Sequence, residues 1–169
     1  MRHSPPMRRQ DWEDDTDEGP APPGAREEAR ALQELRVIYR QADAAYAPFS
    51  CPASGECCQL AKTRRQPWLW APEWLLLARQ HPLPPPRADG GCPYLDAAGQ
   101  RCTVYADRPF GCRTFFCSRI RGPARQPADT VNALLVRLEQ VSQRIRPALT
   151  GPRPLLEWHA EDSSRTGTP

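Results

Sequence analysis

Seven cysteines, at positions 51, 57, 58, 92, 102, 112 and 117, fall within 67 residues of a 169-residue chain that has no others. An odd number of thiols cannot be fully paired as disulfides. The opening stretch, MRHSPPMRRQDWEDD, lacks the apolar segment of a secretory signal. Nothing in the chain approaches the roughly 20 apolar residues of a membrane span. The expectation is a cytoplasmic protein with no membrane association, where thiols stay reduced. The sulfurs are then left for metal binding or redox chemistry.

A fold built on such a segment has a modest apolar core. Hydrophobic residues are 39% of the chain, mean hydropathy is −0.70, and 21 prolines with 10 glycines interrupt regular structure. Domains of this kind need a staple beyond their apolar contacts, and bound metal is one. The basic residues are almost all arginine, with Lys62 the single lysine. Together with the Ala and Pro richness, this reads as a GC-rich bacterial coding sequence. Charge is unevenly spread. Residues 1–50 carry 7 basic and 10 acidic side chains, whereas residues 51–126 carry 11 and 5. The positive excess shares its segment with all the cysteines.

The patterning predicts an α+β, mainly α, domain with a short β-hairpin and three to four helices. Residues 1–23 are Pro-rich with an acidic run, DWEDDTDE, and read as a disordered tail. Residues 24–150 form the cysteine-cluster domain, and residues 151–169 read as a flexible C-terminal tail. A first helix is predicted over 25–45 from the stripe Leu32, Leu35, Tyr39, Ala42 and Tyr46. A second follows Ala71, with Pro72 in its first turn, and runs to His81-Pro82. A third covers 129–146, with Asp129 as cap and Val131, Leu134, Leu135, Leu138, Val141 and Ile145 on one face. Between them, CPYLDAAGQRCTVY reads as a hairpin turning at Asp96–Gly99. In ADRPFGCRTFFC, Asp107 is a candidate N-cap for a short helix.

The cysteine gaps are C-x5-CC, C-x9-C, C-x9-C and C-x4-C. Paired C-x2–4-C knuckles of a structural zinc site are not present, nor is an intact C-x2-C-x2-C ferredoxin run. Spacing alone therefore indicates a thiolate metal site without selecting the metal. Side chains of neighbouring residues diverge on a helix or strand. Cys57 and Cys58 are expected to serve two metals, or two corners of one cluster. Arg64, Arg65, Arg108, Arg113, Arg119 and Arg121 lie close in sequence to cysteines. Of these, Arg108 and Arg113 are the preferred partners of an anionic thiolate centre. His81, His159 and Glu56 are expected at the surface.

FSCPASGECC and CPYLD-x-x-GQRCTVYADRPFGCRTFFC resemble the YkgJ-type cysteine-cluster family, the CxxCxxCC domain described as chelating zinc or iron. Its pattern is C-x-x-C-G-x-C-C, a cysteine before (F/Y)LD, then C-x-(I/V)-Y-x-x-R-P and C-R-x-F. The match runs through Cys51, Gly55, Cys57, Cys58, Cys92, Tyr94-Leu95-Asp96, Cys102, Val104-Tyr105, Arg108-Pro109, Cys112-Arg113 and Phe115. Ser54 stands where the family has its second cysteine. Either that ligand is dispensable or Cys117 replaces it, and replacement is preferred. The resemblance implies metal binding, with an iron–sulfur cluster preferred over zinc and all seven cysteines as candidate ligands. It implies no settled reaction and assigns no catalytic residue. A first alternative is a metal-dependent enzyme modifying a protein side chain, like the flagellin lysine methylase that some relatives resemble. No glycine-rich S-adenosylmethionine loop accompanies that likeness. A second alternative, a zinc-stabilised nucleic-acid-binding module, is disfavoured because aromatics do not interleave with the basic stretches. No particular protein partner is singled out.

Overall fold

The computed structural model describes residues 23–52, 54–116 and 124–166. Cys117, nearly all of the expected N-terminal tail and Ala53 lie outside them. Four helices of ten or more residues dominate, as the mainly α expectation requires. They are α1 (Pro23–Ala45), α3 (Ala71–Gln80), α5 (Ala128–Ile145) and α6 (Leu155–Thr166). Single helical turns form α2 (Leu60–Thr63) and α4 (Phe110–Arg113), and 3₁₀ turns cover Glu56–Cys58 and Tyr105–Asp107. The two short strands β1 (Trp68–Leu69) and β2 (Arg153–Pro154) pair antiparallel, Trp68 opposite Pro154.

Two apolar clusters meet across α3. In the first, the stripes of α1 and α5 face each other: Ala31, Leu35, Ile38, Tyr39 and Ala42 pack with Leu134, Leu138 and Val141. Leu35, Ile38, Leu138 and Val141 are completely buried. The spacing of three and four in both segments produces these faces, and their burial supplies most of the helical stability. In the second cluster, Trp74 and Leu77 of α3 join Leu69, Cys92, Tyr94, Leu95, Val104, Leu155 and Trp158, with Cys58 and Cys102 packed against them. Successive α3 residues thus serve opposite clusters, Leu76 facing α1 and α5 while Leu77 faces the cysteines.

Several local expectations change. The segment 92–105 turns at Asp96–Gly99 as expected but closes with one bridge, Leu95 to Cys102, so it carries no extended strands. Asp107 does not cap α4. Proline holds its predecessor extended, Arg108 has ψ 139, and the helix starts only after Pro109. Asp107 instead accepts a 2.9 Å contact from His81 Nε2. Cys112 and Arg113 lie inside α4. Asp129 sits in the first turn of α5, and Pro127 takes the cap position.

The largest difference is at the C-terminus. Residues expected to form a flexible tail fold as α6, because Leu155 and Trp158 find apolar partners that are distant in sequence. Trp158 stacks on Trp74, centroids 6.0 Å apart, and its indole N–H donates to Leu69 O at 3.1 Å. Trp74 Nε1 in turn donates to Asp162 Oδ2 at 2.7 Å. His159, expected at the surface, is buried and donates from Nε2 to Pro84 O at 2.6 Å.

Glu73 links these layers. It is fully buried in α3. One carboxylate oxygen accepts from Trp70 N at 2.9 Å, closing the first turn of its own helix. The other accepts from Tyr39 OH of α1 at 2.9 Å and from Phe110 N, the first amide of α4. Arg113 completes the arrangement. Its guanidinium lies over the Tyr39 ring at 4.0 Å, bonds Asp43 Oδ2 at 2.6 Å and donates to Ala106 O. Burial pushes the Glu73 carboxyl up to about 7, against the opposing pull of its three hydrogen bonds. A carboxyl whose folded value exceeds its unfolded value binds protons more tightly in the folded state. Its contribution therefore falls as pH rises from about 4.5 to about 7, then levels off. Comparing denaturant unfolding of wild type and Glu73→Gln across pH 4–8 should show this slope in wild type and a flatter one in the variant. Equal slopes would mean that Glu73 does not titrate in that window.

Candidate metal centre

Six of the seven cysteines, Cys51, Cys57, Cys58, Cys92, Cys102 and Cys112, line one cavity of about 600 Å³. None of the six is in a disulfide. Three backbone devices assemble them. Gly55 turns the chain with φ 69, and Cys58 N bonds Gly55 O at 2.8 Å, forming the 3₁₀ turn that presents the adjacent pair. Cys92 N donates to Cys58 O at 2.8 Å, fastening the second group to the first. The Leu95–Cys102 bridge brings Cys102 back beside them, and α4 supplies Cys112.

Gly55 is required twice over. Its φ lies in the left-handed region that side chains resist. A Cβ there would also stand 2.6 Å from Gln100 O and 2.9 Å from a Leu95 methyl. The turn carrying Cys57 and Cys58 is thus seated against the backbone that carries Cys102. Gln59 Nε2 adds a 3.4 Å bond to Gly99 O across the same contact.

The thiols are not equivalent. Hydrogen bonding with Cys102 and Cys57, together with burial, holds the Cys58 thiol well above its usual range. As acceptors from Cys58, the other two move the opposite way. Cys57 falls to about 6, with help from the Arg65 cation, and Cys102 falls to about 7. Burial pushes Cys92 up to about 12 and Cys112 up to about 11. Cys51 is exposed at the cavity wall, beside the exposed Ser54.

Arg65 is the cation most closely joined to the thiols, and the sequence reading ranked it below Arg108 and Arg113. Its two Nη groups donate to Cys57 O and Gly111 O, both at 3.3 Å, and its Cζ lies 3.8 Å from the Phe115 ring centroid. It therefore bridges the 3₁₀ turn to α4 while facing Cys57 and Cys112. Arg108 also lines the cavity and lowers Cys102, although its own contacts are Tyr105 and Asp43. Arg113, buried on the Tyr39 side, supports α4 rather than the thiols. The sequence signal for Arg65 is its closeness to Cys57 and Cys58; its reach to Gly111, 46 residues away, is a tertiary contact.

Soft thiolates suit zinc, iron and iron–sulfur groups, and the donor set fits such a group chemically. Among the described residues, no three Cys, His, Asp or Glu side chains already converge on a single ion position. The thiols surround a volume instead.

Residues 50–133 match the model of the CxxCxxCC family, whose description reads "Putative zinc- or iron-chelating domain". This segment belongs to that family. No curated protein and no solved structure matches the chain. The matched segment contains all seven cysteines, Arg65, Glu73 and α4. It ends within α5, so α1, the α5 residues Leu134, Leu138 and Val141 that pack against it, and all of α6 lie outside it. No helix among the described residues is long and apolar enough to cross a membrane.

Gly55→Ala should destabilise the protein by about 1–3 kcal/mol from the left-handed backbone alone, with the Gln100 clash added. Gly111→Ala is the control, since its Cβ would meet only Trp68 O at an ordinary 3.7 Å. Denaturant midpoints should fall markedly for the first variant and little for the second. Equal midpoints would refute the seating of the turn.

Proposed function

We propose that this chain binds an iron–sulfur cluster through its cysteine cavity, and that zinc is the second choice. The observation that carries the reading is the distribution of six thiols around a cavity of about 600 Å³. A single zinc draws four sulfurs to about 2.3 Å from one point. A cluster takes each cysteine on a separate iron, which suits thiols that face a shared volume from the 3₁₀ turn, the 92–102 segment and α4. Cys57, Cys58, Cys92, Cys102 and Cys112 are the ligand candidates with described walls around them, and Cys51 stands at the exposed side. Cys117 is the further candidate that compensates for Ser54. Bound there, a cluster would supply electron transfer or Lewis-acid chemistry. The chain's own residues do the rest. Arg65 offsets thiolate charge and ties Cys57 to α4. Leu77, Val104 and Leu155 exclude water from the wall.

A second reading, an enzyme acting on a substrate beside the metal group, is favoured by the same cavity. Its volume lies in the range of small-molecule pockets, and a closed four-ligand zinc site leaves no open position.

Anaerobic purification followed by visible absorption and analysis of iron, zinc and sulfide tests the first reading. Brown protein with equal iron and sulfide is expected, and Cys58→Ser should reduce both. Colourless protein holding one zinc per chain would sink the cluster.

A further inference from the structure

Two cation–aromatic pairs line the cysteine cavity besides its thiols. Arg65 lies over the Phe115 ring and Arg108 over the Tyr105 ring, with the Arg108 Cζ 4.0 Å from the centroid. Phe115 and Tyr105 are 38% and 37% exposed, so both pairs stand where the cavity meets solvent. Neither guanidinium is paired with an acid of the cavity wall. Arg65 bonds the backbone carbonyls of Cys57 and Gly111, and no carboxylate among the described residues. Arg108 donates to Tyr105 O at 3.0 Å and stands 3.6 Å from Asp43, which does not line the cavity. A guanidinium has more N–H groups than these contacts use. Further from solvent the wall is apolar, with Leu77, Val104 and Leu155 drawn from the buried core. Tyr94 belongs to the same wall. It is 3% exposed, and its hydroxyl has no hydrogen-bond partner among the described residues. Buried hydroxyls are normally paired, and an unpaired one costs free energy. Cations near solvent, an apolar interior and one unused hydroxyl complement a small amphipathic anion.

We propose that the cavity binds a small organic carboxylate with a ring-sized apolar body and a polar atom at its far end. Arg65 and Arg108 take the carboxylate. Phe115, Tyr105 and the apolar wall take the body, and the Tyr94 hydroxyl donates to the far polar atom. Arginine's planar fork suits carboxylate and phosphate alike. Charge chooses between them. Thiolates around a metal group leave the interior net negative, which repels the near-double charge of a phosphate more than the single charge of a carboxylate. The cavity volume of about 600 Å³ suits a ligand of this size. The ligand's role as substrate rests on the reading of an enzyme acting beside a metal group, but the contacts themselves involve no thiol.

The test titrates the full chain with para-hydroxyphenylacetate by isothermal calorimetry, with iron, zinc and sulfide measured on the same samples. One saturable site is expected. The uncharged para-hydroxyphenylacetamide should bind roughly tenfold more weakly or worse, the size of a lost charge-assisted hydrogen bond. Arg65→Met and Arg108→Met should each weaken the acid by a similar factor and shrink its advantage over the amide. Tyr94→Phe should weaken para-hydroxyphenylacetate roughly fivefold and leave phenylacetate, which lacks the far hydroxyl, unchanged. No saturable binding, or equal affinity for acid and amide in wild type, overturns the proposal, and that comparison needs no variant to fold. Acid binding that survives both arginine substitutions, or a Tyr94→Phe loss shared by phenylacetate, overturns it as well. Metal-loaded protein that does not prefer the acid refutes the ligand site alone. Metal-free protein that does prefer it refutes the metal reading and leaves the ligand site standing.

Discussion

A buried carboxylate fixes the geometry on which the cysteine cavity depends. Glu73 has no solvent to satisfy it, and a buried charge or polar group is costly unless hydrogen-bonded. Its partners come from three elements: Tyr39 of α1, Trp70 at the start of α3 and Phe110 at the start of α4. The last of these matters most for the site. α4 is one turn long, and Cys112 is its third residue. A helix this short has little intrinsic stability. Glu73 on its first amide and Arg113 between Tyr39 and Asp43 hold it in place.

The same division of labour runs through the molecule. The α1–α5 pair is an apolar scaffold with ion pairs at its margin, such as Arg144 with Glu27 and Glu34. Exposed pairs of that kind contribute little, and the interlocked leucines and valines carry the packing. The cysteine side is different. Its cluster contains Cys92, with Cys58 and Cys102 packed against it, so thiols stand where a larger domain would place more aliphatic carbon. A bound metal group would add cross-links where apolar packing is thinnest.

Much of the helical frame could be read from spacing. The apolar stripes of α1 and α5 announce themselves in one dimension, because their faces follow from a 3.6-residue period. Their limits agree with the structure to within two residues. α6 could not be read with the same ease. Its apolar residues are few, and its polar end resembles a tail; Leu155 and Trp158 are ordered by Leu69, Trp74 and their neighbours. Glu73 was legible as a first-turn acid but not as a buried keystone. Nothing local distinguishes a carboxylate that meets solvent from one that meets Tyr39 and Phe110.

The sequence by itself determined that sulfur chemistry organises this protein. The cysteine spacing, Gly55 and the CTVYADRPFGCR segment are local patterns, and the left-handed turn at Gly55 is a requirement of the backbone there. Only the tertiary structure decided which thiols meet. Cys58 and Cys102 face one cavity because Gly55 is seated on Gln100, and Arg65 reaches α4 because Glu73 and Arg113 hold that helix turn nearby. Those contacts link residues tens of positions apart, so no local period or spacing encodes them.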